Sequence, residues 1–453
     1  MSRVTVSIDR IDQLRTSFAG PVHAPGDPAW DEARRYHAGI GSPDVVVRPS
    51  TVEAVRGAVV WAASQGVPVV VRGGGHSAWN QPPGGIVIDL ADLRDVTVDR
   101  TDDGAIVHIG GGAVWGAVAR ELAARGLGIS SGDTASVGVG GLTLGGGIGW
   151  MVRAWGLAAD QLTGVQLVTA SGEVVEATDA SHPDLLWALR GGGGNFGVVT
   201  RFDFHAHELP ALVHGTYAVA GDHAAVLRTL RDVLATAPRE LTVTYMDVPA
   251  MDPSAPAGAG IEAVWLGDDP EDLRRLLEPV ASIDGVTQTA LGLTAYPDIL
   301  LEMPAAEPEA QMPGFLGGNT LLDDLTDDAI ARLVAFRAAT DASVLFLRSL
   351  GGAYGDVAAD ATAWSARGAT WFAMAGGFDI PGLVDDAERA RLTRDWEAIE
   401  ALGGGVYGNF AVTLDERYVT RMYPAATRAR LGAIKREWDP ANLFRRNHNV
   451  VPV

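Results

Sequence analysis

The chain contains no cysteine. That absence removes disulfides, thiolate metal sites, cysteine nucleophiles and iron–sulfur clusters together. Basic residues are also scarce: 35 Lys and Arg stand against 56 Asp and Glu, for a formal net charge of −21. A chain this acidic lacks the basic clusters that bind phosphate backbones or anionic bilayers, so neither nucleic acid nor a membrane surface is an expected partner. The charge reads as a solubility charge. Long apolar runs are missing too, since stretches such as AVVWAASQGVPVVV are broken by Ser64, Gln65 and Gly66. No transmembrane span is expected. The start, MSRVTVSIDRIDQ, carries charges throughout and no apolar core, so a secretory signal is not expected and a cytoplasmic enzyme is.

Several catalytic signatures are absent as well. There is no GxxxxGK[ST] and no HExxH, which argues against a P-loop and a zincin; GISSG (128–132) fits GxSxG in letters, and a serine hydrolase is not expected. His205 and His207 alternate along one segment without a third ligand nearby, so no metal site is expected.

What is abundant is glycine, 56 residues of 453. The length suits two domains or one elaborated domain, and 47% hydrophobic with 20% charged residues is a folded composition. From residue 43 the pattern is α/β. PDVVVRP reads as a buried strand, Ser50-Thr51-Val52-Glu53 has the form of a capping box, and the helix that follows stops at Gly66. VPVVVR is a second strand, ending in RGGGHS. Strands are expected at 87–91, 96–99 and 105–110, then a helix at AVWGAVARELAARG. After residue 209 strand-like stretches such as ELTVTYMDV, IEAVWLG and SVLFLRSL alternate with acidic helical ones such as DDPEDLRRLLEPV. This reads as an α+β unit with an antiparallel sheet.

Glycines cluster in three places: 73–75, 130–150 and 191–197. They follow no period, and close approach of the backbone to a large ligand explains them best. Gly192 to Gly197 satisfies GxGxxG, but a strand follows where a helix should begin, so a Rossmann site is rejected. His76, directly after the first cluster, could be a metal ligand, a base, a phosphate contact, a covalent anchor or a loop histidine.

Together VRGGGHS (71–77), SVGVGGLTLGGGIGWMVRAWGLAADQL (136–162), RGGGGNFGVVT (190–200), YGNF (407–410) and IKREWDPANLFRRNHNVVP (434–452) resemble the FAD-linked oxidases of the berberine bridge enzyme-like group, within the vanillyl-alcohol oxidase superfamily. The resemblance runs from about residue 40 to the end. It implies an α+β fold: a two-part FAD-binding domain of the PCMH type, plus a substrate domain with an antiparallel sheet backed by helices. The implied boundaries are 1–208 (core 38–208) for the FAD domain, 209–395 for the substrate domain and 396–453 for the segment that completes the FAD domain.

The resemblance also implies site residues. His76 matches the histidine joined to the flavin 8α-methyl group. Arg72, Gly73, Gly74, Gly75 and Ser77 would wrap the pyrophosphate. Val137, Gly138, Gly140, Gly141, Gly145, Gly146 and Gly149 would approach the rest of the cofactor, with Val199 near the adenine or ribose and Asn447 from the C-terminal segment. Many members carry a second, cysteinyl bond; here that place is Thr134, so FAD attached through His76 alone is expected. Val139 matches a position that governs oxygen access.

For catalysis, Tyr407 is the first candidate base, the other reading being that it only packs on or hydrogen-bonds the flavin. Asn409 is a positioning residue, and Phe410 stands where some members have a second tyrosine. In VLFLRSL, alternation puts Phe346, Arg348 and Leu350 on one face. Arg348 could bind a substrate carboxylate or oxyanion, or form a surface or interdomain salt bridge; Tyr245 could serve the site or be a core aromatic. The expected activity is hydride removal from a C–H next to an O–H or N–H of a small organic substrate (a secondary-metabolite alcohol, amine or sugar), with O2 reduced to H2O2. A dehydrogenase with another acceptor, an oxidative cyclase or oxygenase on a polyketide-like intermediate, and a non-catalytic flavin binder are the alternatives. Monomer and dimer are both left open.

Overall fold

The computed structural model describes residues 6–77, 83–101, 104–209, 211–249, 258–303, 313–382 and 384–453. The first sheet has the order Val22–His23, Val45–Val47, Ile86–Asp89, Val69–Arg72. Its last three strands run parallel. Val45–Val47 and Ile86–Asp89 are buried at every position, as expected of unbroken apolar runs in a parallel sheet. The crossover helix Val52–Gln65 starts one residue later than the capping-box reading places it. Its N-cap is Thr51, whose hydroxyl accepts from Ala54 N, while Glu53 pairs with Arg56 instead of reaching back. Gly66 ends it in the left-handed conformation, φ +66°.

A second, antiparallel sheet follows, in the order Val174–Thr178, Leu162–Val168, Val198–Glu208, Gly104–Gly110, Val96–Thr101. Val198–Glu208 begins directly after the GGGGNFG segment, so the GxGxxG match opens a strand and cannot offer a helix start to a dinucleotide.

The third sheet has seven antiparallel strands: Val286–Thr294, Leu212–Val219, Gly258–Trp265, Leu241–Val248, Ser343–Ser349, Trp371–Asp379, Gly314–Leu322. Strand alternation divides its side chains between two faces. Val243, Tyr245, Leu345 and Leu347 pack against Leu227, Leu230, Leu333 and Phe336 of the helices His223–Thr236 and Asp327–Ala338. On the opposite face Phe346, Leu350, Phe372 and Met374 pack with Ile148, Trp364 and Tyr407. That face meets the glycine-rich segment, as the Phe346–Arg348–Leu350 alternation requires of a sheet roofing it.

The C-terminal helix Ala425–Trp438 returns to the first part of the chain. Its Leu431 and Ile434 share a core with Leu186, Leu189 and Phe196. Leu443 and Phe444 join the core of the first sheet, each contributing about 1.5–3 kcal/mol by burial.

Candidate active site

The VVVR strand delivers a turn that interlocks with the second glycine segment. A Cβ on Gly74 would lie 2.3 Å from Gly138 N, and one on Gly138 would lie 2.2 Å from Gly74 N. Only glycine at both positions lets these backbones touch. The result sets His76 beside Ser136, with Nε2 2.9 Å from Oγ. Burial pushes the His76 imidazole down to about 4, and neighbouring His37 adds to this. His76 is therefore neutral at pH 7, with a nitrogen lone pair available.

Arg72 does something other than wrap a phosphate. Its guanidinium is buried, donates to Asp89 Oδ2 at 2.8 Å and to Arg35 O at 3.0 Å, and lies over the Tyr36 ring. With its charge committed to Asp89, Arg72 can face an anion only through its backbone. Among the described residues, the backbone N–H groups of residues 73 to 77 have no acceptor. A run of free N–H groups in a glycine turn is the chemistry of an anion cradle.

Tyr407 occupies the join between the glycine segment and the third sheet. Its Oη accepts from Ile148 N at 3.3 Å and from Asn409 Nδ2 at 2.9 Å. Burial pushes the phenol up to about 12, opposed by those N–H donors, Asn409 first. Asn409 also donates to Leu142 O at 3.1 Å. Its side chain fills the space where a Cβ on Gly145 would stand, 2.2 Å from Oδ1. Trp364, Phe372 and Phe410 surround the Tyr407 ring at 5.3, 5.9 and 5.5 Å between centroids. Half-buried Phe346, Met374 and Phe410 continue this wall.

Arg348 is on the same face, and its partners are internal. Nη2 pairs with Asp133 at 2.9 Å, Nε donates to Thr244 Oγ1 at 2.9 Å, and the guanidinium lies 4.5 Å from the Trp150 ring centroid. It ties the sheet to the loop that carries Thr134; of the two readings above, the salt bridge is the one formed. Thr134 is buried, and Ala135 N and Leu301 N bond across this loop to Leu301 O and Asp133 O. Tyr245 is not brought to the site. Pairing with Leu347 puts it on the helix-covered face, where Oη bonds His223 Nδ1 at 2.9 Å. The alternation that aims Arg348 inward aims Tyr245 away, which removes it as a catalytic candidate.

The remaining positions are structural neighbours of these. Val139 is fully buried, its N–H bonded to Ala113 O. Val199 is buried in its strand, with its carbonyl against Gly111. Asn447 donates to Gly194 O at 2.9 Å, and its own buried Oδ1 has no partner. Nothing is within 4 Å of a Cβ placed on Gly141. Among the described residues, no group of three His, Asp or Glu could hold a metal ion, and no helix is long and apolar enough to cross a membrane.

Comparison with known proteins supports the reading that this geometry invites. An FAD binding domain model matches residues 43–178, and a berberine and berberine-like model matches 406–451. The chain thus carries an FAD binding domain followed by a berberine-like C-terminal segment, and its full-length relatives are FAD-linked oxidoreductases. It is 29% identical to (R)-6-hydroxynicotine oxidase of Paenarthrobacter nicotinovorans, over 96% of this chain and 97% of that one. It is 28% identical to glucooligosaccharide oxidase of Sarocladium strictum, over 95% and 92%. Among solved structures, a glucooligosaccharide oxidase from Acremonium strictum described with a 6-S-cysteinyl, 8α-N1-histidyl FAD superposes with a TM-score of 0.84 at 25% identity, covering 98% of this chain and 99% of that one.

The residues present fit FAD. Free N–H groups at 73–77, the open side of Gly141 and the unpartnered Asn447 Oδ1 are what a phosphate-bearing cofactor would engage in a berberine bridge enzyme-like protein. Sequence reasoning missed His37, Ser136, Asp133 and Asn319. Each is a single polar residue whose role depends on a partner 39 or more positions away in the chain or on ring stacking, and no local spacing signals it. The DPANLF motif gains its reason here. Asp439 accepts from Leu443 N, Phe444 N and Lys435 Nζ, and Lys435 also donates to Asn195 O at 2.6 Å. The motif is a buried knot tying the GGGGNF loop to the C-terminus.

Proposed function

We propose that this FAD-linked oxidoreductase oxidises a small alcohol or amine carrying an aromatic or apolar group, with dioxygen as the electron acceptor and hydrogen peroxide as a product. FAD, held by the residue 73–77 backbone and Asn447 and joined only to His76, supplies hydride acceptance and transfer of electrons to oxygen. Thr134 cannot provide a thiolate, so no second bond is expected. The tether prevents cofactor loss.

The protein's part is proton handling and orientation. Tyr407 Oη takes the proton from the substrate O–H or N–H as the adjacent C–H is lost as hydride. The N–H donors of Ile148 and Asn409 stabilise its phenolate by charge-assisted hydrogen bonds. Asn319 fixes the Tyr407 backbone through two bonds. The Phe346, Met374 and Phe410 wall excludes water and favours an apolar or aromatic substrate over a polyhydroxylated one, which would leave its hydroxyls unpaired there. The observation that carries the reading is the double N–H donation to a fully buried tyrosine at the join of sheet and glycine segment.

Stopped-flow spectroscopy tests it. Aromatic and aliphatic alcohols, amines and oligosaccharides are mixed anaerobically with the enzyme, and reduced enzyme is then mixed with air-saturated buffer. Fast reduction by an aromatic alcohol or amine and fast reoxidation are expected. Slow reoxidation would instead make it a dehydrogenase, and preference for oligosaccharides would contradict the substrate class.

A further inference from the structure

Two side chains touch His76 that the proposed reaction does not use. Ser136 Oγ lies 2.9 Å from Nε2, and the ring of His37 stacks on the imidazole with centroids 3.6 Å apart and planes inclined by 26°. Both are fixed by the fold. Ser136 sits on the interlocked backbones, its carbonyl 2.8 Å from where a Gly74 Cβ would stand. His37 lies in the connection between the paired segments Arg35–Tyr36 and Gly39–Ile40, and its own N–H donates to Gly75 O at 3.0 Å.

An imidazole bonds to carbon through a nitrogen with a free lone pair, and a neutral ring has one such nitrogen. If Nε2–H donates to Ser136 Oγ, the lone pair is on Nδ1. Among the described residues Nδ1 has no hydrogen-bond partner. The stacked His37 covers one face and limits rotation of the ring about its bond to the backbone.

We infer that Ser136 and His37 are positioning residues for flavin attachment: Ser136 selects the Nε2–H tautomer, and His37 holds the ring plane, so that Nδ1 is the attacking nitrogen. This rests on the His76 tether proposed above. The bond formed is Nδ1–C8α. One hydrogen leaves the 8α-methyl group and one leaves the imidazole. Both pass to the flavin with two electrons, and dioxygen then removes two electrons and two protons as hydrogen peroxide.

The test follows attachment, not turnover. Apoprotein from riboflavin-starved cells is supplied with FAD in air and acid-precipitated over time, and flavin in the pellet is compared with flavin bound before precipitation. Ser136→Ala should bind FAD and attach it about tenfold more slowly or worse, the worth of one hydrogen bond. Ser136→Thr, which keeps the hydroxyl, should recover most of the rate. His37→Ala should slow attachment and His37→Phe, which keeps a stacked ring, should restore it. A colourless wild-type pellet would overturn the tether and this inference with it. A wild-type pellet that turns yellow, with Ser136→Ala equally fast, would overturn the tautomer role alone; equal rates for wild type and His37→Ala would overturn the stacking role. Should Ser136→Ala lose FAD altogether, Ser136→Val against Ser136→Thr decides, since the pair differs only in the hydroxyl: equal rates overturn the role and a slower Val variant supports it.

Discussion

Asn319 holds the backbone of Tyr407 from both sides: its Oδ1 accepts from Tyr407 N at 2.7 Å, and its Nδ2 donates to Tyr407 O at 3.1 Å. Both residues are buried. A strand of the sheet thereby sets the position of a side chain 88 residues further along. Asn319→Ala leaves the buried Tyr407 N–H without an acceptor, at about 1–3 kcal/mol, while Tyr407 O keeps its bond from Phe410 N at 3.1 Å. Denaturant titration should show that loss, and flavin reduction by substrate should slow because Tyr407 is released.

Removing the phenol isolates its chemistry. Tyr407→Phe should retain FAD and the packing around Trp364 and Phe372, yet reduce the flavin about 10²–10⁴-fold more slowly, the usual range for loss of a general base. Comparable reduction rates in stopped flow would assign Tyr407 to packing alone.

The pH dependence has a definite sign. Burial holds the Tyr407 phenol up near about 12, so the deprotonated fraction rises tenfold per pH unit below that value. Flavin reduction should therefore climb between about pH 7 and about pH 10 without reaching a plateau. Asn409→Leu removes an N–H donor to the phenolate, pushes the phenol further up and should lower the rate across that range. A plateau beginning near neutrality would contradict the assignment.

His448 makes folding sensitive to acid. Burial pushes its imidazole down to about 4, against a smaller opposing contribution from its bond to the Thr413 backbone. Unfolded, it titrates near about 6.5. Between those values the unfolded chain binds more protons than the folded one, so stability falls as pH drops from about 6.5 to about 4. Thermal melts across this window should show the decline, and His448→Phe should make it shallower.

The buried knot at the C-terminus has its own expectation. Lys435 and Asp439 are both fully buried, with Nζ and Oδ2 2.6 Å apart. Asp439→Ala strands an ammonium and two N–H groups, and should cost about 3–5 kcal/mol in chemical denaturation. The double replacement Lys435→Met, Asp439→Leu should cost less than Asp439→Ala alone, because no buried charge is left uncompensated.

Much of this fold is written locally. Unbroken runs such as Val45–Val47 and Ile86–Asp89 declare buried strands, and Gly66 declares a helix end. The alternation in VLFLRSL was enough to put Phe346, Arg348 and Leu350 on one face. What the local pattern does not carry is which partner a polar side chain finds. Arg72 reads as a phosphate contact until Asp89 is seen beside it, on the adjacent parallel strand. Tyr245 and Arg348 read alike as strand residues, and only the register Tyr245 to Leu347 separates their faces. The cap moved from Ser50 to Thr51 because both are good N-caps and the choice depends on where the chain leaves the strand. His37 was invisible because stacking on His76 across 39 residues leaves no periodic trace.

The most direct test of the account is the attachment itself. Holoenzyme is acid-precipitated, digested with trypsin and analysed by mass spectrometry with visible absorbance. One yellow peptide is predicted, containing His76 and heavier by the mass of FAD, with the Thr134 peptide unmodified. An unmodified His76 peptide, with all the flavin released into the acid supernatant, would contradict it.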